Sequence, residues 1–411
     1  MQKDKTATKF LILKISLIML GLLVSNSYAD ILSRDLPNRE GLKLGEALFH
    51  SALRTQVEFD SNIYLTDKNE KYDIITMINP SIGLKIPLRD NGLSFEYDIA
   101  VNEFSRFHEN DHIDHRLLTL LEVNLTDYQV TLDDEWRRFT DRAGSEDVNR
   151  TKRQTNSLRL GVATTLDQLS FDIAYLNFWQ DYLVNKTIIN GLDYNDKDSL
   201  THVLDIEAAY RFMPKTSALW ENKVGFIDYY HSSLPPDSYF IESLLGVKGE
   251  WLAKTTVDLR GGVKFQDYET STVLSDENYL NFVAKGVLEH SLSDDDTVKL
   301  KAERNTYEST YSNMNYYEAN MIGFDYKHKF YKVTAEIFGQ AQQNRYPDES
   351  TEDGETAKRK DKLYNVGGAL RYDVRNRVSL EAKYEYKKRD SRFKTLDYIE
   401  HLTTLRCTIG F

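Results

Sequence analysis

From about residue 52 to the end, apolar and polar positions alternate along the chain in segments of about 10–14 residues. Leu93, Phe95, Tyr97, Ile99 and Val101 share one parity; Ser94, Glu96, Asp98 and Asn102 take the other. Val257, Leu259, Gly261, Val263 and Phe265 alternate with Thr256, Asp258, Arg260, Lys264 and Gln266. Val378, Leu380, Ala382, Tyr384 and Tyr386 alternate with Ser379, Glu381, Lys383, Glu385 and Lys387. Successive side chains of a strand point to opposite faces, so each segment reads as a strand with one apolar and one charged face. No segment sustains a helical period.

The breaks between strands alternate in length. Short ones fall near Arg89–Gly92, Asp127, Asp167–Gln168, Pro214–Thr216, Leu252–Lys254, Ser293–Asp296, Phe330–Tyr331 and Arg375–Asn376. Longer ones fall near Leu65–Lys71, Phe107–Ile113, Asp141–Gln154, Leu183–Asp198, His231–Pro236, Glu269–Glu277, Thr310–Asn315, Tyr346–Lys360 and Ser391–Thr395. Short turns at one end and longer loops at the other are what an outer-membrane barrel requires. Eight turns and nine loops join about 18 strands. The expected fold is therefore all-β: a single transmembrane antiparallel up-and-down β-barrel. Its last strand stops on an aromatic, Phe411, as in the C-terminal assembly signal of such barrels.

Composition agrees with this reading. Mean hydropathy is −0.53, so repeated apolar helices of about 20 residues are excluded. Only 7 prolines interrupt the chain, and tyrosine is abundant at 26. One cysteine, Cys407, excludes an intrachain disulfide; it falls on the apolar face of the last strand. Lys3, Lys5 and Lys9 precede an apolar stretch from Phe10 to Val24, and Ser27-Tyr28-Ala29 supplies small residues at a cleavage site. Residues 1–29 therefore read as a signal peptide, 30–50 as a short periplasmic lead and 51–411 as the barrel. The expected location is the outer membrane of a Gram-negative-type envelope. The net charge is −12, and the leader is itself basic, so the remainder is more acidic still. Such acidity argues against nucleic acid as a partner.

A barrel of about 18 strands is too wide for side chains to fill. The charged faces must then line a wet lumen. The alternation assigns Glu96, Asp98, Glu122, Arg159, Asp205, Glu207, Asp258, Arg260, Lys264, Glu303, Glu336, Arg371, Glu381, Lys383 and Arg406 to it. Both signs are present with acids in excess, which predicts a weakly cation-preferring pore. Phe178 and Phe338 are candidate stacking positions in the same wall.

Enzyme chemistry is not indicated. The chain has no Gly-x-Ser-x-Gly elbow, no His-Glu-x-x-His and no phosphate-binding glycine loop. No cofactor is expected. The stretch from His108 to His115 places His108, His112 and His115 beside three carboxylates in one predicted loop. These are weak metal candidates, and a solvated loop without a metal is the favoured reading. Asp294-Asp295-Asp296 reads as a water-facing acidic turn.

Val57-Glu58-Phe59-Asp60-Ser61-Asn62-Ile63-Tyr64, followed by Tyr72-Asp73-Ile74-Ile75-Thr76 and Asn79-Pro80-Ser81-Ile82-Gly83-Leu84, resembles the opening of the putative beta-barrel porin type 2 family. In that pattern Asp60, Ser61, Asn62 and Tyr64 end the first strand, and Pro80 lies in the second. Asp60, Ser61 and Asn62 are suited to bonding their own backbone and shaping the rim of the first hairpin. The resemblance implies a link to exopolysaccharide systems, with the barrel passing a polysaccharide or other large polar solute and a periplasmic polysaccharide-export protein as partner. Two other functions fit the same residues: a general diffusion porin for small hydrophilic solutes, and a structural or adhesive barrel acting through its extracellular loops. In every case outer-membrane lipid and the barrel-assembly machinery are expected partners.

Overall fold

The computed structural model describes residues 41–142, 150–183, 197–230, 236–269, 278–309, 311 and 314–411. The proposed signal peptide lies outside them. Nineteen strands follow in chain order: β1 (Leu42–Leu44), β2 (Ala47–Asp60), β3 (Asp73–Leu88), β4 (Asn91–Phe104), β5 (His112–Asn124), β6 (Tyr128–Asp141), β7 (Thr151–Leu166), β8 (Leu169–Tyr182), β9 (Ser199–Met213), β10 (Thr216–Tyr229), β11 (Ser238–Leu252), β12 (Thr255–Tyr268), β13 (Tyr279–Ser291), β14 (Asp296–Glu308), β15 (Tyr316–Phe330), β16 (Val333–Glu352), β17 (Glu355–Arg375), β18 (Val378–Ser391) and β19 (Tyr398–Gly410). Two single 3-10 turns, His108–Asn110 and Lys394–Leu396, sit in loops.

Each strand from β2 onward pairs antiparallel with the next, and β19 pairs back onto β2. The result is a closed up-and-down barrel of 18 strands. The short β1 forms a hairpin with β2 outside that count. Closure runs from Gly410 opposite Ala52 to Leu402 opposite Asp60, and Phe411 and Ser51 exchange backbone bonds just beyond. Closure matters because hydrocarbon offers no partner to an unpaired backbone group.

All eight short breaks are turns where expected. Arg89, Asp167, Lys254 and Tyr331 take positive φ there, the conformation a tight hairpin demands. One longer break is different. The chain does not loop across 346–360; β16 and β17 run on as a projecting hairpin that reverses at Asp353-Gly354, both at positive φ. The register slips between Arg345 and Glu349, around Pro347, and the pairing then resumes. The pairing of Thr351 with Thr356 holds the tip, where the sequence offered only charge and a proline.

Residues paired across an antiparallel ladder share a face, so the registers define two walls around the barrel. The outer wall carries apolar side chains, including Val57, Ile82, Leu245 and Leu405, with exposures of 47–68%. Aromatics crowd its short-turn end at Tyr128, Tyr210, Phe212, Trp251, Phe330 and Tyr372, all exposed. The inner wall carries the charges. An apolar surface of this extent in contact with water would drive association, so it belongs in lipid.

Candidate functional site

Following the registers strand by strand puts all fifteen sequence-assigned lumen residues, Glu96 through Arg406, on the inner wall. Phe178 and Phe338 lie there too, with Lys383 Nζ 5.1 Å from the Phe338 ring centre. The concave side brings side chains together across intervening strands, and the charges collect into distinct groups.

The largest group centres on Arg260 of β12. Its guanidinium donates to Asp258 on its own strand and to Glu207 of β9 at 2.7 Å, and it pairs with Glu221 of β10. Glu221 also takes Lys285 of β13 at 3.1 Å and Lys223 of its own strand. Lys223 stands 3.9 Å from Asp205 and 3.8 Å from Glu242, and Lys248 reaches Glu207 at 3.6 Å. Contacts spanning β9 to β13 form only on a concave face, since side chains on the convex face splay apart. Alternating signs in such a lattice offset the cost of partial desolvation.

A second group joins Arg116 of β5 to Asp98 of β4 at 3.4 Å and to Glu135 of β6 at 2.6 Å. A third joins Arg406 of β19 to Glu381 of β18 at 2.9 Å and to Gln56 of β2. Arg159 holds Asp172 at 2.8 Å, Lys383 holds Glu385 at 3.1 Å, Lys327 meets Glu336 at 3.6 Å and Arg371 meets Asp373 at 3.1 Å. Lys264 donates to the Thr306 carbonyl at 3.1 Å, across a stretch where β13 and β14 have no ladder beyond Ala284 and Arg304. Glu96 and Glu122 fall on the inner wall near the Arg116 and short-turn ends of β4 and β5.

Sequence reasoning missed Arg116, Glu221 and Lys223. In β5, Leu117 and Leu118 put apolar side chains on both walls, and in β10 Glu221, Asn222 and Lys223 put polar ones on both. The alternation that exposed Arg260 is blurred there.

The mouth at the long-loop end holds a different arrangement. Arg142, just past the end of β6, reaches back over β5, β4 and β3 to β2 and β19. Its guanidinium lies 2.9 Å from Glu58, pairs with Asp60 and comes within 3.8 Å of Glu400. Arg150 follows it, 4.0 Å from Asp60 and over the Phe104 ring at 5.0 Å. Lys387 meets Glu400 at 3.5 Å from the other side. Two inward arginines thus lean across one side of the opening. Nearer β14–β18, Arg359 is packed between the rings of Tyr311 and Tyr346 at 4.1 and 4.8 Å and pairs with Asp361 at 2.7 Å. Tyr317, Phe393 and Leu396 pack on the same cluster.

The segment that carries the family resemblance builds the seam. Asn62 N–H donates to Asp60 Oδ1 at 2.9 Å, and the Asn62 amide donates to the carbonyls of Thr66 and Ile399 at 2.9 and 3.0 Å. His401 N–H donates to Ser61 Oγ at 2.8 Å. Tyr64 receives Asn110 at 3.1 Å and donates to Glu109 at 3.0 Å, tying the first loop to the next. Pro80 lies on the outer wall of β3, where it supplies no N–H to β4. The Asn79 amide donates to the Ile99 carbonyl at 2.7 Å in its place, and Arg54 donates to Asn79 Oδ1 at 3.0 Å.

The three histidines do not converge. His108 is exposed in the 3-10 turn, 3.5 Å from Asp111; His112 points to the inner wall and bonds the Asn110 carbonyl; His115 is on the outer wall against Tyr97 at 2.9 Å. The expected loop 107–113 is shorter, because β5 already begins at His112. Asp294 and Asp296 of the acidic turn are engaged by Lys254 and by Tyr326 and His328. Among the described residues no group of three or more His, Cys, Asp or Glu is placed to hold a metal ion.

Residues 37–411 match the family described as Putative beta-barrel porin 2. Among solved structures, Acinetobacter baumannii OccAB4 aligns with a TM-score of 0.50 at 14% identity, over 90% of this chain and 99% of that one. Pseudomonas aeruginosa OpdK, solved with vanillate, aligns with a TM-score of 0.49 at 7% identity, over 88% and 99%. No curated protein matches the sequence.

Proposed function

The chain belongs to the putative beta-barrel porin 2 family and is an outer-membrane porin-like channel, and from that premise we propose that it passes small hydrophilic solutes by diffusion. The observation that carries this reading is Arg142. With Arg150 it leans over one side of the mouth onto Glu58, Asp60 and Glu400, which narrows an opening that a barrel of this size would otherwise leave wide. The paired charges below it form a polar wall suited to hydrated solutes.

Export of a polysaccharide or other large polar solute is the second reading. Its support is a run of tyrosines on the β12–β16 side of the mouth in two groups: Tyr279 lies 6.3 Å from Tyr268 and 4.4 Å from Tyr316 between ring centroids, and Tyr317 lies 5.6 Å from Tyr307 and 5.3 Å from Tyr346. Aromatic faces suit sugar rings. Much of that run is packed against itself, which favours the first reading.

Liposome swelling with sugars of increasing size separates the two. Entry of monosaccharides with a sharp fall at short oligosaccharides supports diffusion. Equal entry of long oligosaccharides would sink it in favour of the polymer channel.

A further inference from the structure

The outer wall holds a feature that passage through the lumen does not use. A shallow groove of about 820 Å³ crosses β12 to β17 along two adjacent rows of outward positions. The lower row runs through Gly286, Ala302, Ile322, Ala341 and Tyr364, each opposite the next in register. The upper row runs through Arg304, Asn320, Gln343 and Lys362. Small side chains leave the depression, and the apolar wall changes to a polar one within a single row.

At the β17 end of the groove the polar row opens onto lysines. Lys358, Lys360 and Lys362 share the outward parity of Tyr364, and Lys388 of β18 stands opposite Tyr364. The intervening Arg359 and Asp361 point inward and are buried. Glu349 and Asp390 stand opposite Lys358 and Lys362, so the patch remains net positive. None of the four lysines closes an ion pair among the described residues, whereas Asp390 is taken by Lys394 at 3.0 Å. A cationic patch on the lipid-facing wall runs against the −12 charge of the whole chain.

We propose that this groove and its lysine head form a binding site for a phosphorylated lipid of the outer leaflet. An acyl chain lies along the row from Gly286 to Tyr364, and the phosphate meets Lys360, Lys362 and Lys388. The groove climbs from Gly286, near the middle of β13, to Lys360 and Lys362 toward the long-loop end of β17, the level at which outer-leaflet headgroups begin. A chain alone would leave the lysines unmatched, and a free anion would leave the groove empty. A lipid carrying both matches each part. Lysines placed only to reach interfacial water need no groove beneath them.

The test is native mass spectrometry of the full chain in detergent, with lipid A, dephosphorylated lipid A and inorganic phosphate as separate probes. Wild type should retain lipid A at least tenfold more strongly than the dephosphorylated form. K358Q/K360Q/K362Q/K388Q should lose that margin, and A302W, which fills the groove, should weaken both lipids. K215Q/K254Q/K332Q, at the short-turn end, should bind as wild type. Heat-modifiable migration on a gel confirms that each variant is folded, and Lys360→Gln alone serves if the quadruple variant is not. Wild-type retention by the folded lysine variant, or release of lipid A by an equal concentration of phosphate, would overturn the proposal.

Discussion

The side-chain amide of Asn62 donates to the backbone carbonyl of Ile399 at 3.0 Å, between positions 337 apart in sequence. The same side chain accepts from Thr66 N–H and donates to the Thr66 carbonyl, so one buried residue fixes both the first loop and the seam. Asn62→Ala should leave these backbone groups unmatched and cost about 2 kcal/mol. A lower urea midpoint, read by tryptophan fluorescence with an unchanged slope, is the expected result. An unchanged midpoint would mean that the seam is held by its ladder alone.

Asn79 and Pro80 act as a unit. The proline cannot donate to β4, and the asparagine amide supplies the Ile99 carbonyl instead. Asn79→Ala should therefore destabilise the barrel by about 1–3 kcal/mol. Pro80→Ala in the Asn79→Ala background restores a ladder donor and should recover part of that loss. A double-mutant cycle with no coupling would contradict the substitution of one donor for the other.

Removing Arg142 should widen the mouth and leave Asp60 and Glu400 short of one cation. Single-channel conductance of Arg142→Ala in planar bilayers should rise, and its cation preference should strengthen. Equal conductance would show that the narrowest point lies elsewhere.

Within the lumen, Arg260→Met removes the cation shared by Glu207, Glu221 and Asp258. Leaving Glu221 to Lys223 and Lys285 and Glu207 to Lys248 should cost about 3 kcal/mol and shift the reversal potential further toward cations. Wild type itself should show a weak cation preference. A chloride preference would reverse the reading of the inner wall.

The barrel was legible in the sequence because a strand with lipid on one side and water on the other must alternate, and each short turn announces itself. The inward set from Glu96 to Arg406 followed from parity alone. What parity does not carry is distance around the ring. Arg260 meeting Glu207 across β10 and β11 depends on curvature, which no single strand encodes. Arg142 leaning onto Glu58 depends on the path of the chain after β6. The 346–360 hairpin was hidden for a local reason: Pro347 and the acidic residues beside it signal a loop, and only the slipped register shows how a strand continues past them. The three histidines looked like a cluster because they are close in sequence, yet β5 sends His112 and His115 to opposite walls.

The pairing of β2 with β19 also sets a kinetic asymmetry. Seventeen of the eighteen ladders join consecutive strands and can zip as local hairpins. The eighteenth must bring together residues some 340 positions apart, such as Thr404 and Glu58. Searching a loop of that length rather than one of about ten residues costs about 3 kcal/mol more in chain entropy. Closure is thus the slow, late event, and its two strand ends lie side by side at Ser51 and Phe411. A circular permutant that links those ends and opens the chain in one of the long loops would move the slow step to a different ladder without changing the finished barrel.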